Sequence, residues 1–158
     1  MKPNHRWDNY FLSLAAATGS MSKDPSTKVG AVIVGPKREI RCTGFNGFPR
    51  GIADDKRLND RELKLKLVVH AEENCICAAA RVGASLEGCT LYLATAENSP
   101  KHWEGPPCTR CCVSLIQSGI ARIVTRNTGV PRPEWQSDNE LSFKLLAEAG
   151  IIYSAYLK

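Results

Sequence analysis

Val29-Gly30-Ala31-Val32-Ile33-Val34, the turn Gly35-Pro36-Lys37-Arg38-Glu39, and Ile40-Arg41-Cys42-Thr43-Gly44-Phe45 together decide how this chain folds. The first run is β-branched and of strand length. The second segment is a glycine- and proline-marked turn, and the third is a second strand, so the stretch reads as an antiparallel hairpin. Before it, Trp7, Tyr10, Phe11, Leu14 and Ala17 recur at three- and four-residue steps. That spacing predicts an amphipathic helix ending near Gly19, followed by a polar loop over 20–28 that carries Pro25.

After the hairpin, Asn46-Gly47-Phe48-Pro49-Arg50-Gly51 reads as a tight loop. Residues 53–67 are ambiguous. Leu63, Leu65 and Leu67 alternate as in a strand, while the Asp, Lys and Arg content suits a helical or irregular insertion. The chain then alternates. A helix is expected over 70–82 and closed by Gly83, then a strand over 90–94. A long loop over 97–107 with three prolines leads to a helix over 108–119 opened by Pro107, and then to a strand over 120–125. A proline-rich loop over 127–137 precedes a helix capped by Asp138 and closed by Gly150, and 151–156 is the last strand. A helix, a hairpin and then alternating helices and strands predict an α/β protein, a three-layer α/β/α sandwich around a five-stranded mixed sheet. The strands joined by helices should be parallel. With no repeat, low-complexity tract or linker, residues 1–158 read as a single domain.

Composition narrows the function classes. The 158 residues are 43% hydrophobic and 23% charged, typical of a globular chain with a real core. The longest apolar runs are far too short to span a bilayer, and residues 1–20 do not resemble a signal peptide, so a cytoplasmic protein with no membrane partner is expected. The net charge of +5 is spread along the chain rather than gathered in a stripe. Such charge suits a phosphate-bearing small molecule as well as a polymer, but the extended Lys/Arg stripe that a nucleic-acid track wants is missing, so no nucleic-acid partner is expected. Of the seven cysteines, Cys42, Cys75, Cys77, Cys89 and Cys112 sit among apolar or small residues and read mostly as core.

The remaining two cysteines carry chemistry. His70-Ala71-Glu72 and Pro107-Cys108-Thr109-Arg110-Cys111 place one imidazole and two thiols at two helix starts. A three-residue step brings Cys108 and Cys111 onto one helical face, and a helix N-terminus favours the thiolate that zinc needs. Three protein ligands leave a fourth tetrahedral position for water, which zinc ionises near neutral pH. A structural zinc site would be closed by a fourth ligand. No cysteine stands at the customary spacing for that, and Glu72 would have no purpose there. Glu72 is therefore the candidate catalytic proton shuttle beside the metal ligands His70, Cys108 and Cys111.

Together with Ser22-Lys23-Asp24-Pro25-Ser26-Thr27-Lys28-Val29-Gly30-Ala31-Val32 and Gly44-Phe45-Asn46-Gly47-Phe48-Pro49-Arg50-Gly51, these motifs resemble the deoxycytidylate (dCMP) deaminases of the cytidine deaminase superfamily. The likeness covers about residues 5–156. It implies hydrolytic deamination of dCMP to dUMP and ammonia, supplying dUMP for thymidylate synthesis, with a catalytic Zn2+. It further implies that Asn46 bonds the deoxyribose, that Ser22 and Lys23 lie near the 5′-phosphate, and that Ala71 belongs to the substrate site. A homohexamer activated by dCTP with Mg2+ and inhibited by dTTP through the Asn46-Gly47 loop is implied as well. The stretch 97–106, with His102 beside Trp103, is longer than the family's usual link. Two other readings compete. One is a deaminase of another cytosine nucleotide or of a transfer-RNA or DNA base. The other is a non-catalytic, zinc-stabilised nucleotide-binding module.

Overall fold

A computed structural model describes residues 4–103, 105–127 and 132–157. The hairpin forms as read. β1 (Val29–Val34) pairs antiparallel with β2 (Ile40–Phe45), Gly30 opposite Phe45 and Ile33 opposite Cys42. β3 (Thr90–Thr95) joins the other side of β1, again antiparallel, with Val29 opposite Thr95. β4 (Arg122–Asn127) and β5 (Ile152–Leu157) follow in parallel, giving the order β2-β1-β3-β4-β5. This is the mixed five-stranded sheet expected.

Period-two alternation splits the core in two. Val32, Val34, Tyr92, Ala94 and Val124 meet α1 (His5–Gly19) through Phe11, Leu12, Ala15 and Ala16. The opposite face sends Ala31, Ile33, Leu91, Leu93 and Ile123 against α3 (Ala71–Val82), α4 (Thr109–Gln117) and α5 (Gln136–Glu148). The result is the three-layer sandwich. Two glycines permit the close packing. A Cβ on Gly30 would fall 2.0 Å from Ala15 O of α1, and one on Gly44 would fall 2.6 Å from Ala71 O of α3.

Three readings change. The ambiguous stretch is helical: a 3₁₀ turn (Lys56–Asn59) and then α2 (Arg61–Leu67), capped by Asp60 accepting from Leu63 N–H at 3.1 Å. His70 and Cys108 stand one residue outside their helices, as N-caps. Asp138 does not cap α5, which starts at Gln136 after a 3₁₀ turn (Pro133–Trp135). Its carboxylate instead accepts from Thr109 N–H at 3.1 Å, satisfying the start of α4. Four of the five remaining cysteines are buried, and Cys77 is exposed. No helix among the described residues is long and apolar enough to cross a membrane. The middle of the proline-rich loop, 128–131, lies outside the described residues.

Candidate active site

The sheet's topology brings the two motifs together. α3 and α4 start on the same face of the sheet, so their N-caps converge. His70 Nδ1 lies 3.4 Å from Cys108 Sγ and 3.4 Å from Cys111 Sγ. All three donor atoms lie within 4.8 Å of one another. A tetrahedral ion with zinc's usual bonds to sulfur and nitrogen holds such atoms about 3.5 Å apart. The spacing and the donor set therefore fit zinc, and they do so through Nδ1 of the histidine.

The protons are shared unequally. A hydrogen bond from the Cys111 thiol, with the His70 imidazole beside it, holds the Cys108 thiol down to about 5. The same contact, and burial, push the Cys111 thiol up. The Cys108 sulfur in turn raises the His70 imidazole to about 9. One anionic sulfur is thus already favoured before any cation arrives.

Glu72 is the second residue of α3 and is 5% exposed. Burial pushes its carboxyl up to about 7, against the pull of His70. No other described residue donates a hydrogen bond to it. A buried acid without a partner is costly to fold, and such groups concentrate at functional sites.

Behind the N-caps the two motif helices are tied directly. His70 N–H donates to Glu73 Oε2 at 3.3 Å. Arg110 donates from Nε to Glu73 Oε1 at 2.9 Å and from a terminal nitrogen to Oε2 at 3.0 Å, a forked pair. Sequence reading missed this pair because its members lie in different motifs. Each does sit beside a candidate ligand.

His70, Ala71, Glu72 and Cys108 line a cavity of about 470 Å³. Asp24, Ser26, Thr27, Val29, Asn46 and Leu93 line it from the sheet side, and α2 contributes Arg61, Lys64 and Leu65. Trp103 and Trp135, edge to face at 5.2 Å between ring centres, complete an aromatic wall with Lys101 and Arg132 nearby. His102 is half-buried and does not line the cavity. Its carbonyl accepts from Arg132 at 3.2 Å.

The structure brings some expected residues together and sets others apart. Asn46 and Ala71 line the cavity. The Asn46 amide is also an internal brace: Oδ1 accepts from Val29 N–H at 2.8 Å, and Nδ2 donates to Thr27 O at 2.9 Å and to Asp24 Oδ2 at 3.4 Å. Ser22 and Lys23 do not line the cavity. The Ser22 hydroxyl is buried and donates to Asn46 O at 2.7 Å. Lys23 points to Asp54 at 3.3 Å, with its side chain 71% exposed. Gly47 exchanges backbone hydrogen bonds with Val69, just before His70, at 3.1 and 2.9 Å.

One imidazole and two cysteine sulfurs, beside a buried acid that takes no hydrogen bond from another described residue, are a donor set suited to metal-assisted hydrolysis. The comparisons agree. The model of the cytidine and deoxycytidylate deaminase zinc-binding region matches residues 5–127. A protein described as an uncharacterized deaminase in the luxG 3′ region of Aliivibrio fischeri is 36% identical over 147 residues, covering 92% of this chain and 90% of that one. Mouse deoxycytidylate deaminase is 32% identical over 156 residues, 95% of this chain and 79% of its own. The crystal structure of the cyanophage S-TIM5 dCMP deaminase in complex with dCMP and dUMP superposes with a TM-score of 0.71 at 23% identity. It covers 99% of each chain. The chain belongs to the cytidine and deoxycytidylate deaminase family.

Proposed function

We propose that this protein hydrolyses dCMP to dUMP and ammonia, and so supplies dUMP for thymidylate synthesis. The observation that carries the reading is Glu72, a buried carboxyl that takes no hydrogen bond from another described residue, on the wall of the cavity lined by His70 and Cys108, which lie beside the Cys111 sulfur. The named relatives support dCMP as the substrate.

In this reading His70 Nδ1 and the Cys108 and Cys111 sulfurs hold the ion. A zinc so held lowers the pKa of a water in its open position to near neutrality. Glu72 accepts a proton from the attacking water and delivers it to the ring nitrogen beside the reacting carbon. It then carries the second proton to the leaving amine, so the C–N bond breaks as ammonia departs. Ala71, with no side chain beyond Cβ, leaves the backbone at the helix start open to the base. Asn46, on the cavity wall, would border the sugar. Trp103 and Trp135 exclude water from one side.

Purified, zinc-loaded protein should release ammonia from dCMP with loss of the cytosine absorbance. Chelation should abolish the reaction and Zn2+ should restore it. Ammonia from another nucleobase compound but none from dCMP would reject the substrate.

The Glu73–Arg110 pair supports the metal site from outside it. Arg110→Ala should raise the rate at which zinc passes to a chelator by about tenfold, as loss of outer partners commonly does. Arg110→Lys should recover only part of this, because a lysine cannot fork. Unchanged zinc release from Arg110→Ala would show that the pair is surface decoration.

The reading extends to regulation and assembly. The Asn46-Gly47 loop is the route by which dCTP with Mg2+, or dTTP, would act on the site, because Gly47 is bonded to Val69 directly before His70. A homohexamer rests on the family likeness alone. A cytoplasmic location rests on the short apolar runs and on the composition of residues 1–20.

A further inference from the structure

The approach to Cys108 runs through two residues that can donate nothing from the backbone. Pro106 and Pro107 lack an N–H, and both are buried. Their carbonyls are met by side chains. The Trp103 indole donates from Nε1 to Pro106 O at 3.0 Å, and the Cys112 thiol donates to Pro107 O at 3.2 Å. Between the indole and its acceptor the chain turns at Gly105 with φ +107°, a conformation that residues with a Cβ rarely adopt. The bond from Trp103 to Pro106 thus closes a tight ring just ahead of the start of α4.

Trp103 is itself held. Its backbone N–H donates at 2.9 Å to Thr95 Oγ1, at the end of β3. Its ring meets Trp135 edge to face and packs against the core that includes Cys75, Leu93 and Cys112. Arg132 donates to His102 O, so the residues before α5 hold the neighbouring position too. A ring fixed in this way gives its N–H one direction. An indole N–H can only donate and a buried carbonyl needs a donor, so each satisfies the other. Cys108, the N-cap of α4, makes no side-chain cap bond of its own. The course of the backbone on either side therefore aims its sulfur at His70 Nδ1, 3.4 Å away. After Cys108 the helix fixes that course, with Cys112 N–H donating to Cys108 O at 2.9 Å. Before it, the proline rings and the two carbonyl bonds do so.

Resting on the reading of His70, Cys108 and Cys111 as zinc ligands, we propose that Trp103 is a positioning residue for the metal site: its indole N–H, through Pro106, holds Cys108 where it binds the ion. The same ring lines the cavity beside His70, Glu72 and Cys108, so one side chain is both wall and strut. The stretch that exceeds the family's usual link thereby contributes to the metal site without supplying a ligand. Partners outside the ligand set orient the ligands and tune the affinity of a metal site.

Trp103→Phe keeps an aromatic wall and removes the donor. Zinc should pass from this variant to a chelator about tenfold faster than from wild type, the lower end of what loss of a metal's outer partners costs. The cobalt-substituted variant should show shifted thiolate-to-metal absorption, because donor type and geometry set those bands. General loosening of the fold would lower the melting temperature without moving the cobalt spectrum, so the spectrum separates positioning from packing. Gly105→Ala tests the same bond from its other end. It leaves the indole in place, strains the turn, and should change zinc release and the cobalt spectrum in the same direction. Circular dichroism is the folding check for both. Either variant, folded and with wild-type zinc release and cobalt spectrum, overturns the inference, as does a variant in which only the melting temperature falls. The deaminase reading fails separately. Metal properties that depend on Trp103, without ammonia release from dCMP, would retain the positioning role and reject the reaction. Ammonia release with metal properties indifferent to Trp103 would do the reverse.

Discussion

Glu72→Ala should reduce turnover by roughly 10²–10⁴-fold while zinc content stays at the wild-type level. Two features set this apart from an ordinary active-site truncation. The metal cluster is made by His70, Cys108 and Cys111 without Glu72, so removing the carboxyl leaves the ligands in place. The carboxyl is also a poor structural element, buried, raised to about 7 and bonded by no other described side chain. Its loss should leave the melting temperature unchanged or slightly higher, as happens where function holds a polar group in an apolar site. Glu72→Gln sharpens the test, because it keeps the shape and removes the exchangeable proton. A variant that stays active, or one that loses zinc along with activity, would contradict the role. Steady-state rates beside metal analysis and a thermal melt decide the matter.

Strands, helices and the metal triad could be read directly, because each depends on residues close together in sequence. Gly30 and Gly44 sit in the hairpin strands where α1 and α3 approach most closely, so even the layer packing leaves a local trace. What escaped reading depends on distant partners. Leu63, Leu65 and Leu67 alternate like a strand. What holds them helical is the Asp60 cap, reinforced by the Lys64–Asp24 pair across the cavity. Asp138 has every local mark of a helix cap, yet its partner is Thr109, 29 residues earlier. Lys23 stands in a block that resembles a nucleotide-binding motif, but its charge turns to Asp54. Lys101, from the stretch longer than the family's usual link, lines the cavity. Arg122, buried at the start of β4, likewise depends on a distant acid. The sequence does not say which acid that is.

That acid is Asp8, and replacing it should be the most destabilising single change in this chain. Asp8 lies in the first turn of α1, wholly buried against the sheet. Arg122, at the start of β4, donates to its two oxygens at 2.8 and 2.7 Å. Tyr92 of β3 adds a bond at 2.9 Å and Tyr156 of β5 another at 2.7 Å. One carboxylate thus ties the front helix to three strands. Removing it leaves a guanidinium buried without a counter-ion, which typically costs about 3–5 kcal/mol. For a chain of this size, Asp8→Ala should lower the melting temperature by roughly 10 °C or more. The cause is testable, since Asp8→Leu combined with Arg122→Met removes both charges and should recover much of the loss. A double variant no better than Asp8→Ala would point to packing instead. The same network sets an acid limit. Burial alone would raise the Asp8 carboxyl, but bonds from Arg122, Tyr156 and Tyr92 hold it at about 2, below its value of about 3.9 in an unfolded chain. The folded state therefore binds this proton less readily. The stabilisation is complete above about pH 5 and drains away as the pH falls toward 2, by roughly 2–3 kcal/mol. Urea melts between pH 6 and pH 2.5 should show wild type losing this increment. Asp8→Asn, already without the charge, should show a correspondingly shallower decline, and equal slopes for the two proteins would remove Asp8 from the acid response.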